Sequence, residues 1–175
     1  MINMILACDD NWCIGNSKSN TLPWHIKEDL RLFSKITKES VCVMGRKTWE
    51  SIPIQYRPLQ RRVNGIISSN KEWLCEQERN YDKVVGLSSL DDIPLLTYKH
   101  PFKEVFIMGG GSIYKTISDN NFDMIDKIYI SHIYGKYDGD VFFDGKKIYE
   151  YFTLEKTIYS DQKFHTNLYK RSPML

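Results

Sequence analysis

Apolar residues gather along this chain in short runs of strand length: Ile2–Cys8, Val41–Met44, Val63–Ser68, Lys83–Val85, Glu104–Met108 and Lys127–Ile133. Helix-patterned segments lie between several of them. Strands alternating with helices imply crossover connections and a largely parallel sheet, hence an α/β fold. The last part of the chain changes character. Phe152–Tyr159 and Lys163–Lys170 interleave Thr, Tyr and Phe with polar residues and are separated by Ser160-Asp161-Gln162. That pattern predicts an antiparallel hairpin added to the sheet. Gly15 to Trp24 is polar and irregular, a loop between the first strand and the first helix. No internal repeat, low-complexity stretch or linker breaks the pattern, which predicts a single domain over residues 1–175.

The first helix, predicted over His25 to Thr37, carries apolar residues at Ile26, Leu30, Phe33 and Ile36. At 100° per residue they fall at about 0°, 40°, −20° and −80°. Asp29 falls at about −60°, inside that arc, while Lys27, Glu28, Arg31 and Lys35 fall outside it. One carboxylate therefore points where a core or a pocket is expected. A buried carboxylate is costly unless it is paired, hydrogen-bonded or protonated. Helix geometry leaves two readings open: a structural Asp that bonds a neighbouring loop, or an anionic anchor for a cationic or NH-rich ligand.

Two glycine-led turns from strand to helix add candidate anion sites. Gly109-Gly110-Gly111 follows the run ending at Met108 and precedes Ser112-Ile113-Tyr114-Lys115-Thr116-Ile117. Such a turn exposes backbone N–H groups, which suits a phosphate. Its spacing is neither that of a Rossmann fingerprint nor that of a P-loop, and a tight turn alone would also require glycine. The second turn is Gly45-Arg46-Lys47-Thr48, where two cations and a hydroxyl follow a strand. Two such turns in one sheet suggest a ligand with more than one phosphate group lying across the strand ends.

Composition narrows the function classes. An apolar fraction of 42% and a charged fraction of 26% are ordinary for a globular domain. A formal charge of +2 gives no electrostatic case for nucleic acid or an anionic membrane. No apolar run reaches membrane-spanning length. Met1 to Cys8 has no basic region before its apolar residues and meets Asp9-Asp10 at once, so it reads as a first strand and not a signal peptide. Of the four cysteines, Cys8 and Cys42 sit in apolar runs and read as buried free thiols. His25, His100, His132 and His165 lack metal-ligand spacing, and no metal is expected. A soluble, cytoplasmic protein is the expectation.

In combination, several segments resemble the dihydrofolate reductase family, from Met1 to about Lys170 and in the family's order. They are Ile14-Gly15, Leu22-Pro23-Trp24, Asp29-Leu30 with Phe33, Met44 through Ile52, Arg57-Pro58-Leu59 with Arg62, Ile66-Ile67-Ser68-Ser69, Gly109-Gly110-Gly111 with Ile113-Tyr114, Ile128 through Ile133, and Gly139-Asp140. The resemblance implies a central eight-stranded, mostly parallel sheet with an antiparallel C-terminal strand, flanked by four helices. It implies NADPH-dependent reduction of 7,8-dihydrofolate to tetrahydrofolate, with a small-molecule substrate, antifolate inhibitors such as trimethoprim, no nucleic acid or membrane partner, and a monomeric state.

Residue by residue, the resemblance implies that Asp29 bonds the 2-amino group and N3 of the pterin, with Ser131 bridging carboxylate and pterin. Leu22 and Trp24 belong to a mobile loop that closes over the nicotinamide, braced by Gly139-Asp140. Ile5, Ala7, Leu30, Phe33, Ile52, Leu59, Met108 and Tyr114 line the pocket. Arg62 clamps the glutamyl α-carboxylate, helped by Arg57. The cofactor falls to Ala7, Ile14, Gly15, Asn16 and Leu22, to Gly45, Arg46, Lys47 and Thr48, to Ser68 and Ser69, and to Gly109, Gly110, Gly111, Ser112, Ile113 and Tyr114.

This chain departs from the family pattern in places. Ser131 stands where the family usually carries threonine. Ser112 stands where many bacterial members carry an arginine for the NADPH 2′-phosphate, which leaves Arg46, Lys47, Ser69 and Lys71 as candidates. Ile54-Gln55-Tyr56 adds residues before Arg57. A pyrimidine reductase of riboflavin synthesis would share fold and cofactor but would not explain Asp29 or Arg62. A catalytically silent relative would have no need of Asp29, Leu22-Pro23-Trp24 and both phosphate turns.

Overall fold

A computed structural model describes residues 1–173. In chain order the elements are β1 (Ile2–Cys8), β2 (Cys13–Gly15), α1 (Lys27–Ile36), β3 (Val41–Gly45), α2 (Arg46–Ser51), β4 (Val63–Ile67), α3 (Lys71–Asn80), β5 (Val84–Leu87), α4 (Ile93–Lys99), β6 (Val105–Ile107), α5 (Gly111–Thr116), β7 (Lys127–Ile133), β8 (Val141–Phe142), α6 (Lys146–Tyr151), β9 (Phe152–Ser160) and β10 (Phe164–Arg171). Eight strands form one sheet in the order β5-β4-β3-β6-β1-β7-β10-β9. From β5 to β7 every pairing is parallel, and β10 alone runs against both of its neighbours. The eight-stranded sheet and the C-terminal hairpin match expectation. Six α-helical segments appear where four were expected, three of them only six residues long.

The central strands are buried on both faces, which is why they read as unbroken apolar runs. Met4, Leu6, Val41, Val43, Val105, Ile107, Ile128 and Ile130 meet in one core layer. Cys42, Met44 and Ile66 face the other way and pack with Trp49 and Leu74. Cys8, Cys13 and Cys42 are buried free thiols. Burial pushes Cys8 up to about 12, so it behaves as a small apolar side chain.

Two features differ from the sequence reading. The buried side of α1 is turned away from Leu30. Asp29 is its one buried residue, Leu32 joins Ile26 against the cluster of Trp24, Ile133 and Phe164, and Leu30 stays 47% exposed. The second is a two-stranded sheet of β2 and β8, which pairs the start of the polar loop with the segment after Asp140. Each strand is too short to carry a period.

Candidate active site

The strand order places β6 between β3 and β1. Both glycine turns therefore leave neighbouring strands at the same, carboxyl edge of the sheet, where ligands of open α/β sheets bind. They are joined to each other: Gly45 N donates to Gly109 O at 2.8 Å. Gly109 has φ +119°, a conformation that favours glycine. A Cβ on Gly110 would come within 3.1 Å of Thr48 Oγ1, and one on Gly111 within 2.7 Å of Val141. The two turns thus form a strip of bare backbone that side chains would fill. Ile113 packs over Gly45 and Ile14 lies next to Gly111, so the cofactor candidates of three segments are contiguous. Tyr114 is buried and its hydroxyl donates to Ile5 O at 2.6 Å, tying α5 to β1.

The polar loop is held over this edge at several points. Asp140 N donates to Gly15 O at 3.2 Å, Ser17 N donates to Asp140 Oδ1 at 2.7 Å, and Ser17 Oγ also bonds that carboxylate. Asn16 Nδ2 donates to Asp138 O. A Cβ on Gly139 would collide with Cys13 Sγ and lie 2.6 Å from Gly15 O, so only glycine lets the two loops touch. At the loop tip Asn20 Nδ2 donates to Lys47 O at 2.7 Å. Leu22 is 40% exposed, whereas Trp24 is buried edge-on against Tyr137 with its indole N–H unpartnered among the described residues.

Asp29 is 7% exposed, and Ser131 opposite it is 8% exposed. Burial holds the Asp29 carboxyl above the usual carboxylate range, partly offset by the Ser131 hydroxyl. Ser131 is the cross-strand partner of Ala7 on one side and of Thr166 on the other. Its hydroxyl lies 2.8 Å from Thr166 Oγ1.

The rim separates the three arginines. Arg61 has φ +58° and turns outward to Glu39. Arg62 Nη2 donates to Ser34 O on α1, its guanidinium lies 5.8 Å from the Phe33 ring, and its Nε is buried without a partner among the described residues. The two adjacent arginines thus point to different sides, with Arg61 in the left-handed region. Arg57 donates through Nε to Ile52 O and through Nη2 to Glu50 O, closing the end of α2. Two of its five N–H donors are therefore turned to the backbone. Asn64, fully buried, accepts from Leu59 N and donates to Leu59 O, fixing that lining residue in place. Ile52, Leu59 and Met108 pack together against the Met44 layer. At the far end Arg46 pairs with Glu50 at 2.9 Å and lies 4.4 Å from the centre of the Trp73 ring. Ser68 Oγ accepts from Asn70 N, and Ser69, Lys71 and Ser112 are exposed.

Sequence reading missed Thr166, Asn64, Glu50 and Trp73. Asn64 and Thr166 carry a usable signal, a polar residue on the inward face of a predicted strand. Glu50 carries one too, an opposite charge four residues after Arg46 on the same helix, whereas Trp73 carries none, lying 27 residues from Arg46.

A family model described as dihydrofolate reductase matches residues 1–171. A dihydrofolate reductase of Schistosoma mansoni is 35% identical over 152 residues, covering 81% of this chain and 77% of the relative. One from Bacillus subtilis (strain 168) is 36% identical over 140 residues, covering 80% and 73%. Among solved structures, the dihydrofolate reductase of Enterococcus faecalis, in complex with NADP(H) and the ligand RAB-propyl, superimposes with a TM-score of 0.75 at 26% identity. That match covers 98% of this chain and 96% of the other.

Proposed function

The chain belongs to the dihydrofolate reductase family, and from that premise we propose which of its own residues carry the reaction. It catalyses NADPH-dependent reduction of 7,8-dihydrofolate to 5,6,7,8-tetrahydrofolate. The observation that carries the residue assignment is the single buried carboxylate of α1, set opposite a buried hydroxyl at the carboxyl edge of the sheet.

The bare strip formed by Gly45, Gly109 and Gly110, where a Cβ would be crowded by neighbours or strained by a positive φ, fits a pyrophosphate approached by backbone N–H groups other than that of Gly45, which bonds Gly109 O. Arg46, Lys47 and Thr48 add charge and a hydroxyl there. Ala7, Ile14, Gly15, Asn16 and Leu22 enclose the nicotinamide end, and Ser68, Ser69 and Ser112 border the adenosine end. When bound, NADPH supplies the hydride delivered to pterin C6. Asp29 then accepts from the 2-amino group and N3, an acceptor pair matched to a planar donor pair. Ser131 holds the carboxylate and the pterin in register. Asp29 favours the protonated or enolised pterin electrostatically, and water delivers the proton to N5. Leu22 and Trp24 close over the ring and exclude bulk water. Ile5, Leu30, Phe33, Ile52, Leu59, Met108 and Tyr114 enclose the pterin and benzoyl groups. Arg62 takes the glutamyl carboxylate, with Arg57 stiffening the rim next to it.

Its inhibitors are small antifolates. We also infer a cytoplasmic monomer without nucleic-acid or membrane partners. The near-balanced charge supports this, and no helix of the described residues is long and apolar enough to cross a membrane. The test is NADPH oxidation followed by absorbance with dihydrofolate and, separately, with a ribosylaminopyrimidine. Turnover with dihydrofolate alone is expected. Turnover with the aminopyrimidine alone, or with neither, would overturn the reading.

A further inference from the structure

The inward face of β10 carries Phe164, Thr166 and Leu168, exposed by 0, 1 and 4%. One hydroxyl thus sits between two apolar side chains, where leaving it unpaired is costly. Among the described residues, Thr166 Oγ1 has one side-chain partner, Ser131 Oγ at 2.8 Å. Ser131 stands in turn against the Asp29 carboxyl. Polar groups from α1, β7 and β10 therefore adjoin one another here, with Ser131 between Asp29 and Thr166.

We propose that Thr166 is a positioning residue for the reaction: its hydroxyl donates to Ser131 Oγ and thereby directs the Ser131 O–H onto the Asp29 carboxylate. The direction follows from counting protons. An ionised carboxylate only accepts, and Ser131 has one proton. With that proton spent on Asp29, the Ser131 oxygen is left to accept, and Thr166 is the donor beside it. The opposite order would turn lone pairs of Ser131 towards an anion. Serine needs such a partner because it lacks the second Cβ substituent that restricts χ1 in threonine. Thr166 supplies from the adjacent strand the constraint that a β-methyl would supply within the residue. Each bond polarises the next, so the effect reaches the carboxylate. Burial and the Ser131 hydroxyl are the influences on Asp29.

The inference rests on Asp29 as the pterin anchor, and the test separates the two. Thr166→Val keeps the side chain's size and removes its hydroxyl. Ionisation of Asp29 is followed by carbon-13 NMR of the aspartate carboxyls and by the pH dependence of trimethoprim binding. In Thr166→Val the Asp29 midpoint is expected to rise by roughly half a unit or more. The kcat at neutral pH is expected to fall about three- to tenfold, the scale of one net hydrogen bond. The Michaelis constant for NADPH should hold. Adding Ser131→Thr to Thr166→Val should recover most of both losses, and Thr166→Ser should stay near wild type. Thr166→Cys, whose thiol is a weak donor, should follow the valine variant and serves in its place if valine does not fold. An unmoved Asp29 midpoint in these variants, or failure of Ser131→Thr to rescue, overturns the proposal. In the same assays a crippled Asp29→Asn beside a silent Thr166→Val would remove the Thr166 role alone. An Asp29→Asn with wild-type turnover would remove the anchor itself.

Discussion

Asp29 is the residue at which stability and function pull apart. Burial raises its pKa. A carboxyl with a raised pKa binds its proton more tightly in the folded chain than in the unfolded one. Folding stability is therefore lost as pH rises from the ordinary carboxylate range through the folded value, and is regained on acidification. Asp29→Asn is thus expected to melt at a higher temperature than wild type at neutral pH, with the gap closing towards acid. Thermal melts across pH check this, and equal Tm values at neutral pH would contradict it. A second residue-scale expectation concerns the rim. Arg62 faces α1 and Phe33, while Arg61 is held outward by Glu39. A contact with the glutamate tail is remote from the reacting bond and nearly equal in ground and transition states, so it acts on the Michaelis constant. Arg62→Leu should weaken dihydrofolate binding by about 1.5–3 kcal/mol with turnover at saturation kept, the scale of hydrogen bonds to a charged group. Arg61→Leu should leave binding unchanged. The reverse pattern in steady-state kinetics would reassign the clamp.

At the scale of elements, the site depends on two loops meeting and two turns meeting. Gly139 is where the polar loop and the segment before β8 touch. Gly139→Ala introduces a clash in the closed arrangement, and overpacking of this kind costs about 1–3 kcal/mol. Hydrogen exchange at Gly15 to Ser17 should accelerate and kcat should fall, while amides of β1 and β7 keep their protection. Unchanged exchange at Gly15 to Ser17 would show that the clasp does not depend on Gly139. At the turn after β3, Arg46 is already paired with Glu50 and stacked on Trp73. Glu50 therefore competes with any phosphate for the guanidinium. Arg46→Ala should raise the Michaelis constant for NADPH much more than that for NADH. Glu50→Gln should improve it for NADPH by about two- to fivefold, since exposed pairs are worth about 0.2–1 kcal/mol. Equal effects on both cofactors would place Arg46 away from the 2′-phosphate.

Over the whole molecule, the sheet was legible because strands buried on both faces leave unbroken apolar runs, and the hairpin because the first half of β10 alternates. The carboxylate was legible because helical period alone puts Asp29 inside an apolar arc. The exposure of Leu30 was not legible, because four apolar residues define a stripe without fixing which neighbours will cover it. The pairing of β2 with β8 escaped because five residues in all, from two distant segments, carry no period. Arg57 was assigned to substrate on the strength of motif order, whereas its guanidinium is drawn back by carbonyls at the end of α2. The shared logic is that periodicity reports burial along one element, while side-chain partners come from elsewhere in the chain. The central claim is that one buried carboxylate, Asp29, carries the electrostatics of pterin reduction. Its most direct test is the pH dependence of NADPH oxidation with dihydrofolate for wild type and Asp29→Asn. A deficit of about 10²- to 10³-fold at neutral pH is expected, by analogy with loss of one oxyanion-stabilising donor. That deficit should shrink as pH falls, because the dihydropterin then arrives already protonated. A deficit that stays constant across pH, or no deficit at all, would contradict the role given to Asp29.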